Sequence, residues 1–396
     1  MPPRAADLEW KSDRHFSIGL LFERFNMTNL LRIRAVCREW RTVAETLLRA
    51  RRTVKFFNWQ GDDDNFRDEL FAHLPRLESA NPDPASSAFI VRLLPNIISV
   101  HMPCLEKWQA QTLLLLLARG WGGQLEQLTI CGFPRNKALV TKLVTAIFHK
   151  LPRLRALGLY GLSDKITSVQ LPNRLPVLSR LETLKLFGFK GDLTPVLTQL
   201  GPPICRMHIN TEQADQINIS MDTLEAFFEE HPAVGAQLTG LDLVVIPDEP
   251  ERLWNLICER FTELVTLRAC FLFGCTFDHT LPAMVRLTKL RCLYFNVDLK
   301  KGPYPAIAHL EPFSNVRVLL LGAVADPSFD IATFRSTIGR LFPNLEDLRI
   351  STFSPNAMEL LASVVKRIFP CLKKQQIGLA NRSKMSVGVQ KRIYED

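Results

Sequence analysis

The chain has 396 residues, of which 47% are hydrophobic and 22% charged, and its formal net charge is +9. These proportions exclude wholesale disorder and allow either one large repeat array or two to three ordinary domains. The longest strongly apolar run, Leu113 to Ala118, falls far short of the roughly 20 residues of a membrane helix, and Met1 to Lys11 holds no apolar leader, so the chain is expected to be soluble, cytoplasmic and/or nuclear.

Nine scattered cysteines without framework spacing read as reduced thiols that fill small apolar spaces. The nearest approaches to zinc-ligand pairs, His101 with Cys104 and Cys270 with Cys275, lack a matching second pair. No metal and no cofactor is expected.

Ser17 to Leu48 carries helical apolar stripes, with Ile18, Leu21, Phe22, Phe25, Leu30, Leu31, Ile33, Val36, Trp40, Val43, Ala44 and Leu47 on them. A break at Asn26 to Asn29 divides the stretch, and Thr28 or Asn29 can cap the second helix. A module of this size is too small to be robust alone. Arg32, Arg34, Arg38, Arg41, Arg49, Arg51 and Arg52 raise nucleic acid as a rival partner. Glu39 and Glu45 interleave with these arginines, and no known reader motif is present, so nucleic acid is not the expected partner. Asp62-Asp63-Asp64 lacks the spacing of a calcium loop and reads as a solvated turn.

From residue 91 onward a unit L-x-x-L-x-L recurs. It appears as Leu125-Leu128-Ile130, Leu154-Leu157-Leu159, Leu181-Leu184-Leu186, Leu238-Leu241-Leu243, Leu290-Leu293-Phe295, Val316-Leu319-Leu321 and Leu345-Leu348-Ile350. Weaker copies are Ile97-Val100-Met102, Ile204-Met207-Ile209 and Leu264-Leu267-Ala269. Their middle positions recur about every 23 to 34 residues, around the roughly 20 to 29 of leucine-rich repeats. Around residues 204 to 238 the short and long spacings admit either a shifted register or an insertion containing Met221 to Glu230.

The last two apolar positions of each unit are two apart, so both point inward from a short strand. Between strands lie helical stretches, clearest at Ser354 to Phe369, where Ser354 can cap and Pro355 fits the first turn. Leu151-Pro152, Phe342-Pro343 and Phe369-Pro370 end helices, and Leu74-Pro75 and Leu94-Pro95 place the start of the array, or its lead-in, well before residue 100.

The expected fold is therefore α/β, a leucine-rich-repeat solenoid: a horseshoe with a concave parallel sheet and convex helices, preceded by a small all-α module. The expected divisions are 1–53 for the helical module, 54–90 for a linker and N-terminal cap or first irregular repeat, 91–380 for the repeats, and 381–396 for a C-terminal tail without the pattern.

A concave sheet is the default binding face of such an array. Its outward positions include Gln127, Thr129, Tyr160, Lys185, Phe187, Arg206, His208, Asp242, Arg268, Tyr294, Asn296, Asp347 and Arg349. Aromatics and arginines anchor protein interfaces, so the expected substrate contacts are Tyr160, Lys185, Phe187, Arg206, His208, Arg268, Tyr294 and Arg349, and the expected ligand is an acidic protein segment. No phosphate-binding, dinucleotide, zinc-protease or hydrolase signature is present, and none of the eight histidines neighbours an obvious nucleophile. A binding protein is expected, without catalytic residues.

Leu21-Phe22-Glu23-Arg24-Phe25, a polar turn, and Leu30-Leu31-Arg32-Ile33-Arg34-Ala35-Val36-Cys37-Arg38-Glu39-Trp40-Arg41 together resemble the F-box motif, over roughly residues 8 to 53. In place of the Leu-Pro pair with which that family opens, this chain has Asp13-Arg14. With repeats following, the chain resembles the F-box and leucine-rich-repeat substrate receptors of Skp-cullin-F-box ubiquitin ligases. That resemblance implies a Skp-family adaptor and, through it, a cullin-RING ligase as partners, with a protein substrate held by the repeats. By the motif, Leu21, Phe22, Phe25, Leu30, Leu31, Val36, Cys37 and Trp40 would share the folding of the module and the adaptor contact. For Val36, core packing and direct contact are both open. The alternative is a repeat scaffold whose first helices only cap the array.

Overall fold

The computed structural model describes residues 27–55, 84–102, 107–134, 136–161, 177–187, 194–210, 220–244, 249–269, 277–296, 307–322, 331–352 and 355–379. The chain forms two compact units, one comprising Met1–Gly161 with Ser168–Pro172 and the other Leu162–Thr167 with Asn173–Asp396.

The first unit opens on two helices, α1 (Met27–Ile33) and α2 (Arg38–Ala50). Cys37 caps α2: its Sγ accepts from the Trp40 backbone N–H at 3.5 Å. Glu45 joins the pair, accepting from Arg34 Nε at 3.1 Å and Nη2 at 3.0 Å, and Arg49 lies 3.5 Å from its other oxygen. Leu30, Val43, Ala44 and Leu48 are buried between and beneath these helices.

Strands β1 (Thr53–Lys55), β2 (Ser99–Met102), β3 (Gln127–Ile130) and β4 (Ala156–Leu159) then pair in parallel and in chain order. Helices α3 (Pro84–Leu93), α4 (Lys107–Arg119) and α5 (Lys137–Lys150) connect them. The sheet thus begins at Thr53, directly after α2, and β1 spans the expected division between the helical module (1–53) and the linker and N-terminal cap or first irregular repeat (54–90).

In the second unit β5 (Thr183–Phe187), β6 (Arg206–Asn210), β7 (Gly240–Val244), β8 (Thr266–Ala269), β9 (Cys292–Asn296), β10 (Val318–Gly322), β11 (Asp347–Thr352) and β12 (Lys374–Leu379) repeat the arrangement. All pair in parallel with their chain neighbours. The register aligns Leu184, Met207, Leu241, Leu267, Leu293, Leu319 and Leu348 in one inward row, and all seven are buried. This leucine row, packed against the connecting helices, is what makes each unit an α/β leucine-rich-repeat solenoid.

The uneven spacings have a local cause. Among the described residues the connection between β5 and β6 holds the short α6 (Thr194–Leu197), whereas that between β6 and β7 holds α7 (Met221–Glu230) and α8 (Pro232–Ala236). The register stays fixed and the helical layer absorbs the difference. Later connections carry α9 (Pro250–Arg260), α10 (Phe277–Ala283), α11 (Ile331–Phe334) and α12 (Pro355–Ile368). Helix α12 follows the helical pattern read from the sequence; Ser354 lies outside the described residues.

One carbonyl per repeat bonds to the next. Ile98 accepts from the N–H groups of Glu126 and Gln127, and Cys205, Thr239, Val265 and Arg291 accept likewise from the two residues that begin the following strand. Buried indoles add a second tie: Trp121 Nε1 donates to the Leu94 carbonyl at 3.0 Å and Trp254 Nε1 to the Thr280 carbonyl at 2.8 Å. On the helical side of the second unit, Arg252 bridges Asp222, Glu225 and Glu249 at 2.6, 2.6 and 3.3 Å, and its guanidinium holds the Glu225 carboxyl below its ordinary range.

Candidate functional site

Alternation sends every second residue of a strand away from the leucine row. In the second unit this places Lys185, His208, Asp242, Arg268, Tyr294, Leu320, Arg349 and Gln376 in one outward row, strand by strand. A parallel row two residues earlier holds Thr183, Arg206, Gly240, Thr266, Cys292, Val318, Asp347 and Lys374.

The centre of the first row is a buried ion pair. Asp242 is 7% exposed and Arg268 9%. Arg268 Nη1 donates to Asp242 Oδ2 at 3.4 Å, and His208 Nδ1 approaches the same oxygen to 3.5 Å. Arg268 also stacks on Tyr294, its Cζ 4.8 Å from the ring centroid, a cation–π contact. Asp242 Oδ1 is buried without a hydrogen-bond partner among the described residues, an arrangement that native interiors rarely tolerate away from functional positions.

Around this centre the charges differ in exposure. Lys185 is half-buried; burial, and then repulsion from Arg206, lower its pKa, while Asp242 opposes the shift. Arg206 is exposed, and its Cγ lies 3.5 Å from the position a Cβ would take on Gly240, so its stem lies beside that bare backbone. Further along, Arg349 is tied to Asp347 of its own strand at 2.8 Å.

The expected substrate contacts therefore differ in role. Lys185, Arg206, His208, Arg268, Tyr294 and Arg349 belong to the second unit's sheet face, and Lys185, Arg206 and His208 cluster on adjoining strands. Arg268 is consumed by Asp242 and Tyr294, which makes it a positioning residue. Phe187, 5% exposed, packs at the end of β5 and presents little surface. Tyr160 belongs to the first unit, where its ring leans toward Gly158: a Cβ there would meet Tyr160 Cε2 at 3.1 Å. Asp242, which the sequence places among the outward positions but not among the expected contacts, and Gly240, which it does not single out, complete the cluster.

At the N-terminal module Leu30 is fully buried, whereas Val36, in the tight turn between α1 and α2, is 60% exposed. Cys37 beside it is exposed and Trp40 half-buried. Leu21, Phe22 and Phe25 lie outside the described residues, as does the side chain of Leu31. Among the described residues no group of three or more His, Cys, Asp or Glu is arranged to hold a metal ion, and no helix is long and apolar enough to cross a membrane.

No protein-family model matches the sequence, and no curated protein matches it. Among solved structures the chain is similar to that of the yeast Rad7 and Elc1 complex, at 14% identity over 89% of this chain and 91% of that one, with a TM-score of 0.39. It is also similar to the leucine-rich-repeat-containing protein LegL7 from Legionella pneumophila, at 10% identity over 80% of this chain and 97% of that one, with a TM-score of 0.30. A protein from Bacteroides fragilis matches at 16% identity over 68% and 64% of the two chains, with a TM-score of 0.27. The fold assignment rests on the leucine register and the strand order, not on these likenesses.

Proposed function

We propose that this chain is the substrate-recognition subunit of a Skp-cullin-F-box ubiquitin ligase. The observation that carries the reading is the apolar corner at Val36, Cys37 and Trp40. Val36 and Cys37 are exposed and Trp40 is half-buried, while Leu30, Val43, Ala44 and Leu48 form the buried core of the module. A valine left open in a tight interhelical turn is available to a Skp-family adaptor, and the cationic sheet face of the second unit is available to an acidic protein segment. The mechanism is proximity: holding a substrate beside ubiquitin carried by another subunit raises the effective concentration of its lysines, and the receptor needs no catalytic residue. Cytoplasm and/or nucleus is where such a receptor works.

A second reading has its own observation. The end of α2 is fastened to the first strands, with Asn96 Nδ2 donating to the Arg49 carbonyl at 2.8 Å and the N–H groups of Ile98 and Ser99 donating to the Arg52 carbonyl. Helices so placed also serve as a cap on the repeats of a scaffold with no ligase role. Co-purification with a Skp-family adaptor separates the two. Wild type is expected to retain the adaptor, and Val36→Glu, which alters an exposed side chain and spares the core, is expected to lose it. A wild type that does not bind leaves the cap alone. For substrate, reversing Lys185, Arg206 and Arg349 to glutamate together is expected to abolish capture while sparing the adaptor; Arg268 is left out because its reversal would place two acids in a buried site.

A further inference from the structure

We propose that the cleft between α7 and α9, on the helical side of the second unit, docks an arginine-rich segment of a partner protein. The cleft has a volume of about 820 Å³, and Glu225, Glu229, Glu249, Glu251 and Glu259 line it together with Arg252 and Arg260. It belongs to the helical layer rather than to the sheet face, so the inference goes beyond the receptor reading and does not depend on it.

The acidity of this region is written into the sequence. Between Arg206 and Arg252 the chain holds no lysine or arginine, although its net charge is +9. The segments that lead into α7 and α9 therefore bring no cation of their own; they bring Glu212, Asp215 and Asp248. The two arginines of the cleft are committed elsewhere or incompletely matched. Arg252 is spent on joining α9 to α7 through Asp222 and Glu225, and it holds the Glu225 carboxyl in its charged form, below the ordinary range. Arg260 reaches Glu229 only at 3.8 Å, beyond hydrogen-bonding distance, and its Nε is buried without a hydrogen-bond partner among the described residues. An orphaned donor beside surplus acids is the mark of a site that lacks part of its complement. The Arg260 side chain is 34% exposed, so a small rotation presents Nε to a carbonyl oxygen arriving from outside.

The chemistry selects the occupant. Among the described residues no three acids are arranged to hold a metal ion, so this charge suits cations spread along a chain rather than a single ion. A guanidinium meets a carboxylate through two parallel hydrogen bonds, which an ammonium cannot do. A peptide also supplies main-chain carbonyls for Arg260, and the apolar stems of its arginines can lie on Pro250, which lines the cleft. Nucleic acid and anionic membrane are repelled by a surface of this sign.

The test follows a fluorescently labelled peptide of alternating arginine and alanine as it binds the full chain at physiological salt, beside its glutamate counterpart and with spermine as competitor. The arginine peptide is expected to bind and the glutamate peptide not. Glu229→Gln with Glu259→Gln, both exposed, is expected to weaken binding about tenfold, while Glu311→Gln with Glu359→Gln, which removes the same charge from exposed positions outside the cleft, changes little. An unchanged urea midpoint shows that the variants fold; if the cleft pair does not, Glu229→Gln alone carries the test. Reversal of Lys185, Arg206 and Arg349 to glutamate is expected to leave the peptide bound, which separates this cleft from the sheet face. Equal losses in the two double variants overturn the cleft in favour of the general field of the surface. Spermine that displaces the peptide at matched charge overturns the protein segment in favour of a small polycation. Self-association that vanishes with the Glu229 and Glu259 substitutions overturns it in favour of a second copy of this chain. An arginine peptide that does not bind overturns the proposal outright and leaves the receptor reading, tested on the adaptor, as it stands.

Discussion

The strands of the first unit and those of the second share one backbone plan but present different chemistry. On β2 to β4 the outward residues include no lysine, arginine or carboxylate, and Ser99 Oγ donates to Gln127 Oε1 at 3.1 Å across two of the strands. On β5 to β8 the same positions carry Lys185, Arg206, His208, Asp242 and Arg268, with an ion pair buried at the centre. Inward leucines are constrained by packing in both units, so only the outward positions are free to differ. Recognition is therefore expected to reside in the second unit, on a scaffold indifferent to which residues perform it.

The sharpest way to break that contrast is to remove half of the buried pair. Arg268→Met strands the Asp242 carboxylate and is expected to cost about 3–5 kcal/mol in urea denaturation, whereas Asp242→Leu with Arg268→Met is expected to recover most of the loss. A single substitution without cost would mean that the pair is effectively solvated. Leu128→Ala in β3 and Leu241→Ala in β7 come next. Each is expected to cost about 2–5 kcal/mol, because inward positions are equivalent in the two units. A large disparity would show that their cores are built differently.

The smallest effect concerns Lys185 against Gln127. A lysine whose folded pKa is lowered destabilises the folded state at neutral pH, where it is charged in both states, and the penalty fades as pH rises through the lowered value toward the ordinary lysine range. Lys185→Gln is thus expected to raise the thermal midpoint slightly at pH 7 and to lose that advantage at alkaline pH. Gln127→Ala, on the neutral face, is expected to shift stability by less than about 0.5 kcal/mol without this pH trend.

Much of the fold was legible because leucine spacing reports strand direction directly. Leu184-Leu186 and Leu241-Leu243 fall at inward positions of β5 and β7, and even Ile204-Met207-Ile209, with no leucine, falls in register. β1 was not legible, because Thr53 to Lys55 offers only Val54 as a buried residue and follows a helix without pause. Within the site, the outward cations could be enumerated, but their fates could not. That Arg268 would be spent on Asp242 depends on β7 and β8 being adjacent in register, a fact that spacing along one chain does not contain. The exposure of Val36 was equally hidden, since a turn valine reads the same whether it packs or projects.

The last strand among the described residues departs from the row of leucines. Opposite Leu348, where every earlier strand of the second unit has a leucine or methionine, β12 has Gln375, and Lys374, Gln375 and Gln376 are all exposed. A parallel sheet ending in a leucine-faced strand would be a template for another copy, and filaments grow from such ends. Glutamine and lysine at these positions of the rim replace the apolar side chains on which a further leucine-faced strand would pack.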